Sequence, residues 1–186
     1  MLDDKLNILQ VVGYQNSGKT TLIEKLCQLA DQEELKLGCF KHHGHGGKPD
    51  RLFKQKDTDR YVQAGAFAAG VEGEGECHFF IRHMTFTQLI NMCQHLPLDV
   101  VLIEGYKQAP YRKILCVKDE QELIDLSTLS HIQAAIYFDK EIQFAEKYPF
   151  PLFSAFDKRG ITFAFNLLKG KPRMNELLRS QKSRLM

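Results

Sequence analysis

The residues with most chemical potential lie near the start of the chain, in the string Gly13-Tyr14-Gln15-Asn16-Ser17-Gly18-Lys19-Thr20. Its spacing, a glycine, four residues, then Gly-Lys-Thr, is that of a phosphate-binding loop. Each residue type has a reason to be there. Glycines let backbone N–H groups curl around phosphate oxygens with no Cβ in the way. A helix that starts at the loop adds its positive N-terminal end. The cradle is expected to run from Gly13 through Gln15, Asn16, Ser17, Gly18 and Lys19 to Thr20 and Thr21. Lys19 is expected to reach the β- and γ-phosphates, and the Thr20 hydroxyl to coordinate magnesium. The expected ligand is a magnesium–nucleoside triphosphate.

Such a loop needs carboxylates to hold magnesium or orient an attacking water. The run Val100-Val101-Leu102-Ile103-Glu104-Gly105 offers one, because an apolar strand delivers Glu104 at its C-terminal edge. Lys56-Asp57-Thr58-Asp59 offers a second. Asp57 is the stronger candidate there, and Asp57 or Thr58 is also a candidate helix cap. The catalytic candidates are Lys19 and Glu104, and the magnesium candidates are Thr20, Asp57 and Glu104. Lys41-His42-His43-Gly44-His45-Gly46-Gly47-Lys48 puts three histidines in four positions. Neutral imidazoles bind transition metals, but no cysteine or carboxylate lies in the run. A segment that touches substrate phosphate, or orders when nucleotide binds, is the better reading.

These groups must be positioned by strands and helices. Leu6 to Val12 reads as a buried strand, and Thr20 to Ala30 as a helix, with Leu22, Ile23, Leu26 and Leu29 at helical spacing. Strands are predicted at Leu35 to Phe40, Leu98 to Ile103, Ile114 to Val117, Ile132 to Phe138 and Pro151 to Ala155. Helices are predicted at Asp57 to Ala69, Thr85 to His95 and Ile161 to Leu168, and Ala68 to Phe80 reads as two strands around a turn. The alternation implies a P-loop NTPase-like α/β fold, residues 1–186 as a single domain, with a mostly parallel sheet and helices on both faces.

Composition narrows the rest. With 44% apolar residues and a net charge of +2, no strong field points to nucleic acid. No apolar run is long enough to span a bilayer, so no membrane partner is expected. Met1 to Lys5 carries two aspartates and no secretory core. The basic residues Lys169, Lys171, Arg173, Arg179, Lys182 and Arg184 read as a solvated tail. Five scattered cysteines without a CxxC pair suggest reduced thiols and a cytoplasmic location.

The ordered set of motifs resembles the MobB family, molybdopterin-guanine dinucleotide biosynthesis protein B. The residues that carry the resemblance are Asn16-Ser17-Gly18-Lys19-Thr20-Thr21-Leu22, Lys41-His42-His43-Gly44-His45, Lys56-Asp57-Thr58, Ala64-Gly65-Ala66, and Glu104-Gly105-Tyr106-Lys107 with Pro110 and Lys113-Ile114. They span roughly the first two-thirds of the chain. The resemblance implies the fold class of dethiobiotin synthetase and the signal-recognition GTPases. It also implies GTP as nucleotide, slow intrinsic hydrolysis and a homodimer. The implied partners are molybdopterin and MobA, the guanylyltransferase that joins GMP to molybdopterin. The family often has serine at Thr58 and glycine at Gln55. No NKxD string selects guanine, and Phe138-Asp139-Lys140 and Ser154-Ala155 are partial echoes of base-reading segments.

Three other function classes carry a phosphate loop of this kind. A small-molecule kinase or ligase of dethiobiotin synthetase type would show substrate-dependent turnover. A metal-delivery GTPase would use His42, His43 and His45. A membrane-cycling ATPase of the MinD kind fits poorly, because its signature lysine at the second loop position is Tyr14 here.

Overall fold

The computed structural model describes residues 6–44, 56–138 and 147–170. His45, Arg51, Asp139, Lys140 and the basic positions from Lys171 onward lie outside the described residues. The chain divides into two compact units, one of residues 1–44 and 97–186, the other of residues 45–96.

The first unit is built on six parallel strands in the order β2-β5-β1-β6-β7-β8. They are β1 (Asn7–Val12), β2 (Leu37–Lys41), β5 (Val100–Glu104), β6 (Arg112–Val117), β7 (Ile132–Tyr137) and β8 (Leu152–Ser154). Side chains alternate across the sheet, as strand geometry demands. Leu9 and Val11 join a core with Leu102, Ile114, Cys116 and Ile136. Two helices, α1 (Lys19–Gln32) and α5 (Lys158–Leu168), close that face with Leu22, Ile23, Leu26, Phe163 and Leu168. Val12, Leu115, Val117 and Ala135 face the other way, where α4 (Glu120–Leu126) adds Leu123 and Leu126. Helices thus cover both faces, as a parallel sheet requires. Its central strand β1 pairs with β5 on one side and β6 on the other, so the exits of all three strands converge.

Helix α4 was not foreseen from the sequence. Asp119 caps it by accepting a bond from the Glu122 N–H at 2.9 Å. Lys169 is not part of a solvated tail: it follows α5, bonds Glu33 at 2.8 Å, and lies over the Phe165 ring at 4.5 Å.

The second unit holds α2 (Asp57–Gln63), α3 (Phe86–His95) and an antiparallel hairpin of β3 (Ala68–Gly73) and β4 (Glu76–Ile81). The predicted helix over Asp57 to Ala69 stops early. Gly65 takes φ 113, its N–H bonds the Val62 carbonyl, and the Ala66 N–H reaches back to Tyr61. That pattern is a glycine-terminated helix end. Asp57 does not cap α2: the capping position is Lys56, without a side-chain bond, and Asp57 is the first helical residue. There its charge still meets the positive helix end. The expected turn between two strands is Glu74-Gly75, both at positive φ, which suits a two-residue hairpin. Thr85 caps α3 in a reciprocal pair with Gln88. Among the described residues, no helix is long and apolar enough to cross a membrane.

Candidate functional site: a phosphate loop at the exits of three parallel strands

The loop between β1 and α1 has the expected form. Asn16 and Gly18 adopt left-handed backbone, at φ 58 and 82, and α1 begins at once with Lys19. Its two glycines sit where a side chain has no room. A Cβ on Gly13 would overlap the Cys116 carbonyl oxygen and the Ser17 hydroxyl. A Cβ on Gly18 would run into the Phe138 ring. Ser17 is buried, and its Oγ has no hydrogen-bond partner among the described residues. Gln15, Thr20 and Thr21 are exposed. Neighbouring Lys19 donates from Nζ to the Tyr14 carbonyl oxygen, folded back over its own loop. Burial holds the Lys19 ammonium below its ordinary pKa, and Glu104 acts in the opposite sense.

Glu104 ends β5, as the sequence predicts, and is 9% exposed. It lies beside Val11 on one flank and Lys41 on the other. The Lys41 ammonium pairs with its carboxylate at 3.2 Å. Lys19 and Glu104 are therefore brought into one electrostatic neighbourhood by the β1–β5 pairing. Asp57 belongs to the second unit, where Arg60 pairs with it at 3.5 Å. Asp59, the weaker candidate, is buried and accepts a bond from Gln63 at 2.8 Å.

Loop chemistry fits a phosphate ligand. Tight glycines, a helix N-terminus, a buried hydroxyl unpartnered among the described residues and a lysine bonded to a loop carbonyl are what phosphate oxygens need. Magnesium suits such a place, because it usually keeps waters and takes one or two protein oxygens beside substrate phosphate.

A part of the site escaped sequence reasoning. Gln10 and Lys113 are fully buried and are Cα partners on β1 and β6. Gln10 gives both amide hydrogens to the turn after β5, to the carbonyls of Gly105 at 2.9 Å and Tyr106 at 2.8 Å. Lys113 donates to the carbonyls of Ala109 and, at 3.0 Å, Tyr111. Burial lowers the Lys113 pKa, and these carbonyl dipoles offset its desolvation. The segment is thus pinned at both ends. It places Tyr106 in a stack with His42, ring centroids 4.2 Å apart. It also places Lys107 Nζ 3.9 Å above the Tyr14 ring. The sequence signals were a polar residue, Gln10, within an apolar strand and a lysine, Lys113, just before another.

The model of the family described as "Molybdopterin guanine dinucleotide synthesis protein B", MobB, matches residues 8–137, a span that includes both the phosphate loop and the pinned turn. The chain belongs to the MobB family. Its role therefore lies in molybdenum cofactor maturation. A Bacillus subtilis relative, "Probable molybdopterin-guanine dinucleotide biosynthesis adapter protein", is 42% identical over 88% of this chain and 94% of its own. A Methanocaldococcus jannaschii relative, a putative adapter protein of the same description, is 32% identical over 69% of this chain and 55% of its own. Among solved structures, Bacillus subtilis MobB superposes with a TM-score of 0.78 at 40% identity, covering 89% of this chain and 99% of that one. The MobB homologue from Bacillus stearothermophilus gives 0.70 at 32% identity, over 89% and 99%. This agreement supports the P-loop fold class over the whole described sheet.

In this MobB-family chain, Gly18→Ala tests how tight the loop is. A left-handed alanine costs about 1–2 kcal/mol, before any overlap with Phe138. At about 2–4 °C per kcal/mol for a chain of this size, the expected fall in Tm is about 2–8 °C. A variant that melts within 1 °C of wild type, in a calorimetric scan, would show that the loop has room for a side chain.

Proposed function

We propose that this chain is a GTP-binding adapter that assists attachment of GMP to molybdopterin by a MobA-like guanylyltransferase. The observation that carries the reading is the phosphate loop, with its two side-chain-free glycines and Lys19 beside Glu104. The family's role in molybdopterin guanine dinucleotide synthesis supports guanine nucleotide over adenine.

In this reading Gly13, Gln15, Asn16, Ser17, Gly18 and Lys19 hold the phosphates, with Thr20 and Thr21 at the helix start. Thr20 and Glu104 serve the magnesium ion, which would neutralise phosphate charge when bound. Glu104 orients water or outer-shell magnesium, a contribution felt chiefly in the transition state. GTP turnover by the isolated protein is slow, on the order of one per minute or less, as for P-loop proteins without an arginine finger. The useful output is then a nucleotide-dependent surface, or a delivered nucleotide. The test is a reconstituted guanylylation with MobA, molybdopterin and limiting GTP. Wild-type protein is expected to stimulate product formation and Lys19→Ala to lose most of the stimulation. No stimulation by either protein would defeat the adapter reading.

The working form is a homodimer in the cytoplasm. What supports the dimer is the β3–β4 hairpin, whose two strands have no further strand partner among the described residues. Phe79, paired with Gly70, is 73% exposed on one face of the hairpin, Val71 is 50% exposed on the other, and Phe67, just before β3, is 60% exposed. A lone two-stranded sheet is marginal in water, and exposed aromatic groups of this size usually mark a contact surface. Sedimentation equilibrium is expected to give twice the chain mass for wild type, and the single-chain mass for Phe79→Asp. A monomeric wild type would remove the dimer from the account.

A further inference from the structure

We propose that Lys107 is a second phosphate-binding cation of this site, engaging the terminal phosphate of the nucleoside triphosphate, and that Gln10 and Lys113 hold it in place. The inference rests on the nucleotide-binding reading above and adds a residue to it.

The argument starts at Tyr14. Lys19 donates to its carbonyl, and Lys107 covers its ring at 3.9 Å. Two ammonium groups therefore flank one residue of the phosphate loop. Lys19 reaches the β- and γ-phosphates in a loop of this kind. Lys107 approaches the same residue and lies within electrostatic reach of the Lys19 ammonium. The three lysines Lys19, Lys41 and Lys107 share one field, because both Lys41 and Lys107 disfavour the charged form of Lys19. Lys41 is matched by Glu104 at 3.2 Å. Among the described residues Lys107 makes no salt bridge, and its one contact is an aromatic face. An exposed cation–π contact is weaker than a charge-assisted bond to phosphate, so an arriving phosphate wins the ammonium from the ring. A four-carbon stem with three rotatable donors allows the small shift required.

The second part is how Lys107 comes to be there. The preceding residues, Gly105 and Tyr106, adopt left-handed backbone at φ 91 and 49, a conformation free of cost for the glycine but one that an unheld tyrosine would leave. Gln10 holds both of their carbonyls, and Lys113 holds those of Ala109 and Tyr111. Gln10 belongs to β1, the strand that also leads into the phosphate loop. One strand thus fixes both the loop and the turn that carries the second cation. Lys113 and Gln10 touch no phosphate in this scheme; they are positioning residues.

The discriminating quantity is the preference for triphosphate over diphosphate. Equilibrium binding of GTP and GDP, in magnesium, should be measured for wild type, Lys107→Ala, Lys107→Arg and Lys113→Met. Lys107→Ala is expected to weaken GTP about tenfold, the size of one charge-assisted contact, and GDP less than twofold. Lys107→Arg should recover most of the preference. Lys113→Met should lose the preference with Lys107 still present. Equal binding by Lys107→Ala and wild type would overturn the proposal. So would an equal loss for GTP and GDP, the mark of a merely structural lysine. If Lys113→Met does not fold, the two Lys107 variants still decide the phosphate role, and Gln10→Leu under the same measurement decides the positioning. Wild-type protein that binds no nucleoside triphosphate would instead defeat the underlying nucleotide reading.

Discussion

A polyanion can be held by neutral backbone only where amides point inward and no side chain intrudes. That steric constraint organises this structure. Gly13 rests on the Cys116 carbonyl of β6, and Gly18 on the Phe138 ring beyond β7. The loop is therefore shaped by strands on one side of β1, while Glu104 arrives from β5 on the other. A parallel sheet makes this possible, because all six strands exit at one edge. Burial at that edge has a chemical side effect. The Cys116 thiol beneath the loop is pushed up to about 12, so it stays protonated and inert beside the site.

The two faces of the sheet are used differently. Under α1 and α5 the packing is apolar throughout, which anchors the helix that starts at Lys19. On the opposite face, β1 and β6 place Gln10 and Lys113 side by side with no exposure to solvent. A buried ammonium costs several kcal/mol unless it is well bonded, so packing alone gives no reason for it. Its bonds go to the backbone of one turn, and that turn carries Tyr106 and Lys107. The desolvation cost is spent on the shape of a loop, not on the stability of the core. The same turn reaches β2 through the His42–Tyr106 stack and the His42 N–H bond to the Glu104 carbonyl at 2.9 Å. The histidine segment thus begins as part of the phosphate-site edge.

Local signals made much of this legible in the sequence. The phosphate loop announces itself by spacing, Glu104 by its place at the end of an apolar run, and the hairpin by glycines within β-type residues. Those features are written within a few neighbouring residues. What could not be read depends on partners distant in the chain. Gln10 looks like an ordinary polar interruption of a strand, and Lys113 like the residue before one, until the β1–β6 register sets them side by side. The seven-residue α4 is too short to show helical periodicity, and its capping Asp119 has many equivalents in loops. The overlong prediction for α2 took Gly65 as a helical residue, where its left-handed backbone ends the helix. Asp57 was given a capping role that falls one residue earlier, at Lys56.

The central claim is that a magnesium-bound nucleoside triphosphate sits in the loop from Gly13 to Thr20. Hydrogen–deuterium exchange reads that loop directly, because its amides are the proposed ligands. Adding GTP and magnesium should slow exchange at the amides from Gln15 to Thr20 in wild-type protein, and leave them unchanged in Lys19→Ala. Protection confined to other segments, with this loop exchanging at its free rate in the presence of saturating nucleotide, would contradict the account.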